Sequence, residues 1–211
     1  MSFNRFSERI QSADELAAII GTPSELSLKK ELKLLDEHMR RFIAHSPFVI
    51  VSTHSADGRC DASPRGDAPG FVHVVDDQML LIPDRIGNRR ADSYRNILET
   101  GRVGLLFLVP GFWETLRVNG QAVLIRDEAW LIPLTAQGKR PLVAMAVEVE
   151  ECYLQCAKAL IRSKLWESHE RPTLQSLPCA AEMFHDQLQM PEFDVAKLQT
   201  LLDEAYRSKL Y

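Results

Sequence analysis

Apolar and polar residues recur along this chain with two different periods, and the change between them divides it. Near the N-terminus the spacing is helical. The run "DELAAII" (14–20) predicts a short helix that stops at Gly21-Thr22-Pro23. Leu28, Leu32, Leu35, Met39, Phe42 and Ile43 then predict a long amphipathic helix from about Ser24 to Ala44, ended by Pro47. From there the period shortens. "FVIVSTH" (48–54), "RCDASPR" (59–65), "FVHVVD" (71–76) and "QMLLIPD" (78–84) read as strands, separated by "SADG", "GDAPG" and Asp76-Asp77. A helix is expected over 89–99, with Asn88 as its N-cap and Asp92 in its first turn. "RVGLLFLVP" (102–110), "ETLRVNGQAVLIRD" (114–127) and "LVAMAVEVEECYL" (142–154) are further strands. The tail returns to helical spacing in "CAKALIRSKLW" (156–166) and at roughly 179–188 and 194–207.

Six or seven strands joined mostly by short turns, with one helix inserted near the middle, favour an antiparallel barrel with helices outside it over a parallel α/β sheet. The expected fold is therefore α+β, mainly β, in a single domain spanning 1–211. Helices would occupy 1–46, the barrel 47–155, and further helices 156–211.

Composition narrows the function classes. The chain is 45% hydrophobic and 26% charged, as in a soluble globular protein, and no apolar run approaches the length of a membrane span. "MSFNRFSERI" has no apolar signal core, which argues against export. Cys60, Cys152, Cys156 and Cys179 are too few in so long a chain to form a disulfide scaffold, so reduced thiols in the cytoplasm are expected. A net charge of −4 argues against a nucleic-acid surface. The basic residues are instead local. From Asp84 to Arg102 there are five arginines against three acids, a pattern suited to a small anion.

Arg89 and Arg90 fall at the expected helix start, where partial positive charge and unpaired N–H groups make cations unfavourable unless an anion binds. Two guanidiniums there would add bidentate bonds to phosphate oxygens; solvent-facing arginines, one paired with Asp92, are the plainer alternative. "SPRGDAPGFVHV" (63–74) reads as a strand edge bent by glycines and prolines, and its Arg65-Gly66-Asp67 as a chance match to an integrin-binding tripeptide. On 114–122, Thr115, Arg117, Asn119 and Gln121 share a polar face that either meets solvent or lines a polar ligand. Lys158 and Arg162 lie at i, i+4, on one helix face that either meets solvent or faces an anion. Cys152, Cys156, His169, Cys179 and His185 fit no zinc template, so no metal is expected. G-x-S-x-G, P-loop and G-x-G-x-x-G motifs are absent.

Taken in order, "IPDRIGNRR", "NILETGRVGLLF" and "VNGQA" resemble the pyridoxamine 5′-phosphate oxidase class of FMN-binding split barrels, from about Phe48 to Asp127. "SPRGDAPGFV", "IPDRIGNRRADS", "PGFWETLRVNG" and "CAKALIRSKLW" resemble an FMN-dependent oxidase-related subgroup, from about Ile10 to Trp166. The resemblance implies a homodimer with FMN at the subunit interface. It maps the oxidase's phosphate-gripping Ser-Arg-Lys onto Asn88-Arg89-Arg90, a Tyr-Thr flavin contact onto Ile82-Pro83, a flavin-facing glutamine onto Thr115, and a strand arginine onto Arg65. Lys158, Arg162, Ser163 and Trp166 would supply contacts from the partner subunit. The oxidase's C-terminal tryptophan and arginine motif is missing, and Pro83 has no N–H to offer, so pyridoxamine phosphate is not the expected substrate. The implied activity is FMN-dependent oxidoreduction of an unknown small molecule, with NADH or NADPH as electron donor and no identified catalytic residue. The alternative is a non-enzymatic flavin or haem binder or sensor. Related split barrels also use haem or a deazaflavin, for which only His54 and His73 could be nominated here.

Overall fold

The computed structural model describes residues 3–167 and 176–211. Among them, seven strands form one sheet: β1 (Phe48–His54), β2 (Cys60–Gly66), β3 (His73–Val74), β4 (Met79–Pro83), β5 (Arg102–Leu108), β6 (Thr115–Ile125) and β7 (Ala144–Gln155). Their order is β2-β1-β5-β6-β7-β4-β3, and every neighbouring pair is antiparallel. This is the α+β split barrel anticipated from the strand pattern.

Connectivity forces the sheet to roll. Strands β2 and β3 are consecutive in the chain but lie at opposite edges of the sheet. Laid flat, seven strands at ~4.8 Å spacing would be roughly 29 Å wide. The link from Gly66 to His73 can stretch only about 25 Å. The two edges must therefore approach each other.

Alternation along the strands fills the barrel. On β5, Val103, Leu105 and Phe107 are buried while the residues between them are more exposed. With Val49, Val51, Leu80, Ile82, Leu116, Val118 and Val147 they form the core, closed by Ile43 and Ile97 from flanking helices. The β6–β7 register shifts between Asn119 and Gly120, where Glu150 is the extra residue of a bulge in β7. Only glycine fits there: a Cβ on Gly120 would sit 1.9 Å from the Glu148 carbonyl oxygen.

Helix α1 (Ala13–Ile20) ends at Gly21, as its sequence implies. The long helix expected from Ser24 to Ala44 is instead two helices, α2 (Glu25–Lys29) and α3 (Glu37–His45). Between them the chain leaves the helix and makes a single bridge to the sheet. Leu32 exchanges both backbone hydrogen bonds with Cys152 of β7, at 2.9 and 2.8 Å, and Leu35 N–H donates to Asp77 O at 2.8 Å. Asp36 restarts the helix by accepting from Met39 N–H at 2.8 Å. The leucine spacing was a false continuity, since Leu28 and Leu32 are exposed while Leu35 is buried. The strand expected at 71–76 is also shorter: Phe71 and Val72 pack into the core and only His73–Val74 pair.

Helix α4 (Asp92–Thr100) covers β1 and β2. The short α5 (Glu128–Leu131) packs Leu131 beside Leu81 and Ala144. Helix α6 (Lys158–Ser163) follows β7, and α7 (Ala180–Leu188) and α8 (Val195–Ser208) pack on each other with Ala181 and Leu198 buried. Among the described residues, no helix is long and apolar enough to cross a membrane.

Candidate functional site

The inner face of β2 is polar. Period-2 alternation points Asp61, Ser63 and Arg65 the same way, and each is half-buried. The start of α4 covers them. Ser93 Oγ donates to Asp61 Oδ2 at 2.6 Å, and Ser63 Oγ also donates to the Asp61 carboxylate, at 3.0 Å to the same oxygen. Arg65 Nη2 donates to Ser93 Oγ at 3.3 Å, and its guanidinium lies 5.6 Å from the centre of the Tyr94 ring. Tyr94 in turn donates to Asp84 Oδ1 at 2.7 Å. Burial, with the Asp84 carboxylate beside it, pushes the Tyr94 hydroxyl well above its ordinary range, so it stays a protonated donor.

Asn88, Arg89 and Arg90 lie before the helix rather than in its first turn. The expected Asn88 cap is corrected: Ala91 holds the N-cap position, and Asn88 Oδ1 accepts from Arg90 N–H at 3.0 Å within the loop. Arg89 and Ala91 are left-handed, with φ of 60° and 57°. Such conformations in non-glycine residues carry a cost and concentrate at functional sites. Ala91 has no side-chain acceptor and no side chain caps α4, so the helix's first N–H groups stay available to another acceptor. Arg90 pairs with Asp92 on the surface. That contact, together with the more distant Asp61 charge, favours the charged guanidinium. Arg89 is exposed.

Ile82 and Pro83 are buried at the end of β4, opposite Met145 and Ala144 of β7. Thr115 lies at the other end of β7, paired with Gln155, whose Oε1 accepts from its hydroxyl at 3.4 Å. Trp166 Nε1 donates to Phe112 O at 2.8 Å, fixing the end of α6 to the β5–β6 turn. Lys158, Arg162 and Ser163 are exposed on α6, and Ser163 Oγ donates to Leu160 O at 3.0 Å. Within one chain the structure thus joins Arg65 to the start of α4. It places Thr115 and Trp166 at the opposite end of β7 from Ile82 and Pro83.

Asp61, Ser63, Ser93 and Tyr94 were missed in the sequence reading. The alternation D-x-S-x-R in 61–65 is a legible polar strand face. Nothing local says that α4 would cover it. His54 and His73 are both exposed, and they lie on β1 and β3, far apart in the sheet order. Among the described residues no group of three or more His, Cys, Asp or Glu could hold a metal ion. His169, weighed for that role, lies outside them.

A rolled antiparallel sheet with flanking helices defines a split barrel, and a cluster of arginines lies at the uncapped start of α4. The family model described as pyridoxamine 5′-phosphate oxidase matches residues 35–156, more than half of the chain, and the protein belongs to that family, which is of flavin-binding oxidoreductase type. The chain is similar in structure to HupZ from Group A Streptococcus, at 18% identity and a TM-score of 0.48, over 57% of this chain and 93% of that one. It is similar to a pyridoxamine 5′-phosphate oxidase-like protein of Lactobacillus delbrueckii, at 23% identity and a TM-score of 0.47, over 59% and 98% of the two chains. General stress protein 26 from Bacillus anthracis matches at 14% identity and a TM-score of 0.43, over 56% and 94%. Comparison with curated proteins gives no match.

Proposed function

We propose that the protein binds FMN, with Arg65, Arg89, Arg90 and the first N–H groups of α4 taking the 5′-phosphate, and acts as an FMN-dependent oxidoreductase on a small molecule. The observation that carries this reading is the hydrogen bond from Arg65 to Ser93, which brings a strand arginine to the same helix start as the arginine pair. The residues fit the group. Four arginines (Arg65, Arg89, Arg90 and Arg95) stand against three carboxylates (Asp61, Asp84 and Asp92), leaving the cluster positive, and an uncapped helix start adds neutral donors.

Bound flavin would supply the redox chemistry, accepting electrons from a donor such as NADH or NADPH and passing them to an acceptor. The chain's own residues bind, orient and exclude water. Ser93, itself anchored on Asp61, would hold Arg65 beside the phosphate position. Gln155, paired with Thr115, carries an amide at the strand end where the oxidases place their flavin-facing glutamine. No side chain at this cluster stands out as an obligatory acid or base.

The reading includes a homodimer. Lys158, Arg162, Ser163 and Trp166 sit on and just after α6, beside the Thr115 end of β7, and a second copy is what would carry them to the arginine cluster. All four cysteines are free thiols, in keeping with a cytoplasmic protein. Titrating the protein with FMN and with riboflavin tests the phosphate site. Much tighter FMN binding is expected, and equal affinities would return the arginines to a solvent role. Light scattering should give twice the 23.9 kDa chain mass. Incubation of the FMN-loaded protein with pyridoxamine phosphate should yield no pyridoxal phosphate, since Pro83 and Thr115 replace the oxidase's flavin contacts.

A further inference from the structure

A cavity of about 540 Å³ lies between α3, the segment after α2, and the Leu116 and Leu154 ends of β6 and β7. It shares no lining residue with the arginine cluster and lies at the opposite end of β7 from Pro83. We propose that this cavity is a binding site for a flat aromatic molecule carrying one carboxylate, with Lys30 as the group that recognises the charge.

The volume is that of a small-molecule site, for which roughly 300–1,000 Å³ is usual. Buried Met39 and Leu116 form the floor. Phe42 and Phe112 meet edge to face at 5.6 Å and offer a wall suited to another ring. The wall is held in place, because the Trp166 indole N–H donates to the Phe112 carbonyl at 2.8 Å. Around the same opening, Leu32, Phe112 and Leu154 are 38%, 47% and 40% exposed, a clustered apolar rim of the kind that marks a ligand site.

Lys30 is the cationic group of the lining. Lys30 Nζ donates to Leu154 O at 2.7 Å and lies 5.5 Å from the centre of the Tyr153 ring. These contacts fix the ammonium at the mouth and use one of its three donors. Asp36, the carboxylate on the lining, is turned to α3: its Oδ1 accepts from Met39 N–H, at the positive end of that helix. His38 supplies a further polar group on the rim.

The test uses the whole purified chain, with 2-naphthoate as probe and 2-naphthalenemethanol as its neutral analogue. Saturable binding of one naphthoate per chain is expected, roughly tenfold tighter than the alcohol, as one charge-assisted contact at a partly exposed site provides. Lys30→Met should erase that preference and leave the alcohol's affinity unchanged. Leu154→Trp, at a half-exposed position that tolerates bulk, should block both ligands with an unchanged circular dichroism spectrum. FMN titrations of the same variants should match wild type, so failure of the flavin reading and failure of this one are separable. Absence of saturable naphthoate binding overturns the proposal, as does an unchanged preference in Lys30→Met or retained binding in Leu154→Trp. Naphthoate binding that appears only when a dimer is diluted to monomers also overturns it, since a second copy would then be the occupant.

Discussion

Arg85 Nε donates to Asp67 Oδ2 at 2.5 Å, and the two side chains are 17% and 4% exposed. Asp67 follows β2 and Arg85 follows β4, so the ion pair ties together strands from opposite sides of the rolled sheet. Tyr211 completes the tie by donating to Asp67 Oδ1 at 2.5 Å. The loop fixed by Arg85 is the one that carries Asn88, Arg89 and Arg90.

Removing one partner of this pair should leave a buried charge uncompensated. Asp67→Ala and Arg85→Ala are each expected to cost about 3–5 kcal/mol in urea unfolding. The double variant Asp67→Leu/Arg85→Met should lie closer to wild type than either single change. Additive losses would show that the two groups act independently.

The pair also sets an acid limit. Burial alone would raise the Asp67 carboxyl. The Tyr211 hydroxyl, the Ala68 N–H and Arg85 outweigh that and hold it below its ordinary value of 3.8. A depressed folded-state pKa contributes stability that is complete above the unfolded value and is lost as pH falls through the folded one. The stability difference between wild type and Asp67→Asn should therefore be constant at neutral pH and shrink below about pH 4, as followed by thermal unfolding.

Much of the barrel could be read from the sequence because period-2 burial and turn residues are local signals. "FVIVSTH" and "RVGLLFL" became β1 and β5 with little change in their bounds. What failed depended on distant partners. The leucines at 28 and 32 looked helical, yet the free edge of β7 near Cys152 drew Leu32 into an extended pairing. The arginine cluster was half legible. Arg89 and Arg90 stood out as charges in an unfavourable place, whereas Ser93 joins Asp61 and Ser63 only when α4 packs over β2.

Arg65→Ala should weaken FMN by roughly 10- to 100-fold, the range for one charge-assisted contact, and riboflavin far less. Fluorescence titration of both flavins checks it. Equal losses for the two ligands would place Arg65 away from the phosphate.

Asp61→Asn should act in the opposite direction. A carboxylate beside Arg65 and Ser93 opposes a phosphate at the same helix start. Its neutral isostere should tighten FMN several-fold, about 1 kcal/mol, with riboflavin unchanged. Weaker FMN binding in this variant would mean that the carboxylate's main task is to orient Arg65.

Gly120→Ala should be severe despite the added methyl being the smallest possible. The Glu148 carbonyl occupies the space a Cβ needs, so the β6–β7 bulge has to open. A loss above about 3 kcal/mol, or failure to accumulate folded protein, is expected in thermal denaturation.

The sheet order also sets a schedule for synthesis. β4 finds one neighbour in the two-residue β3 and the other in β7, which emerges about 60 residues later. At ribosomal speeds of ~5–20 residues per second, the apolar run Met79–Pro83 waits on the order of 3 to 12 s for its main partner. During that interval it is the segment of the nascent chain most open to capture by a chaperone or by another nascent copy. The arginine loop hangs from the end of the same strand, so its place on the barrel is not fixed until β7 has emerged.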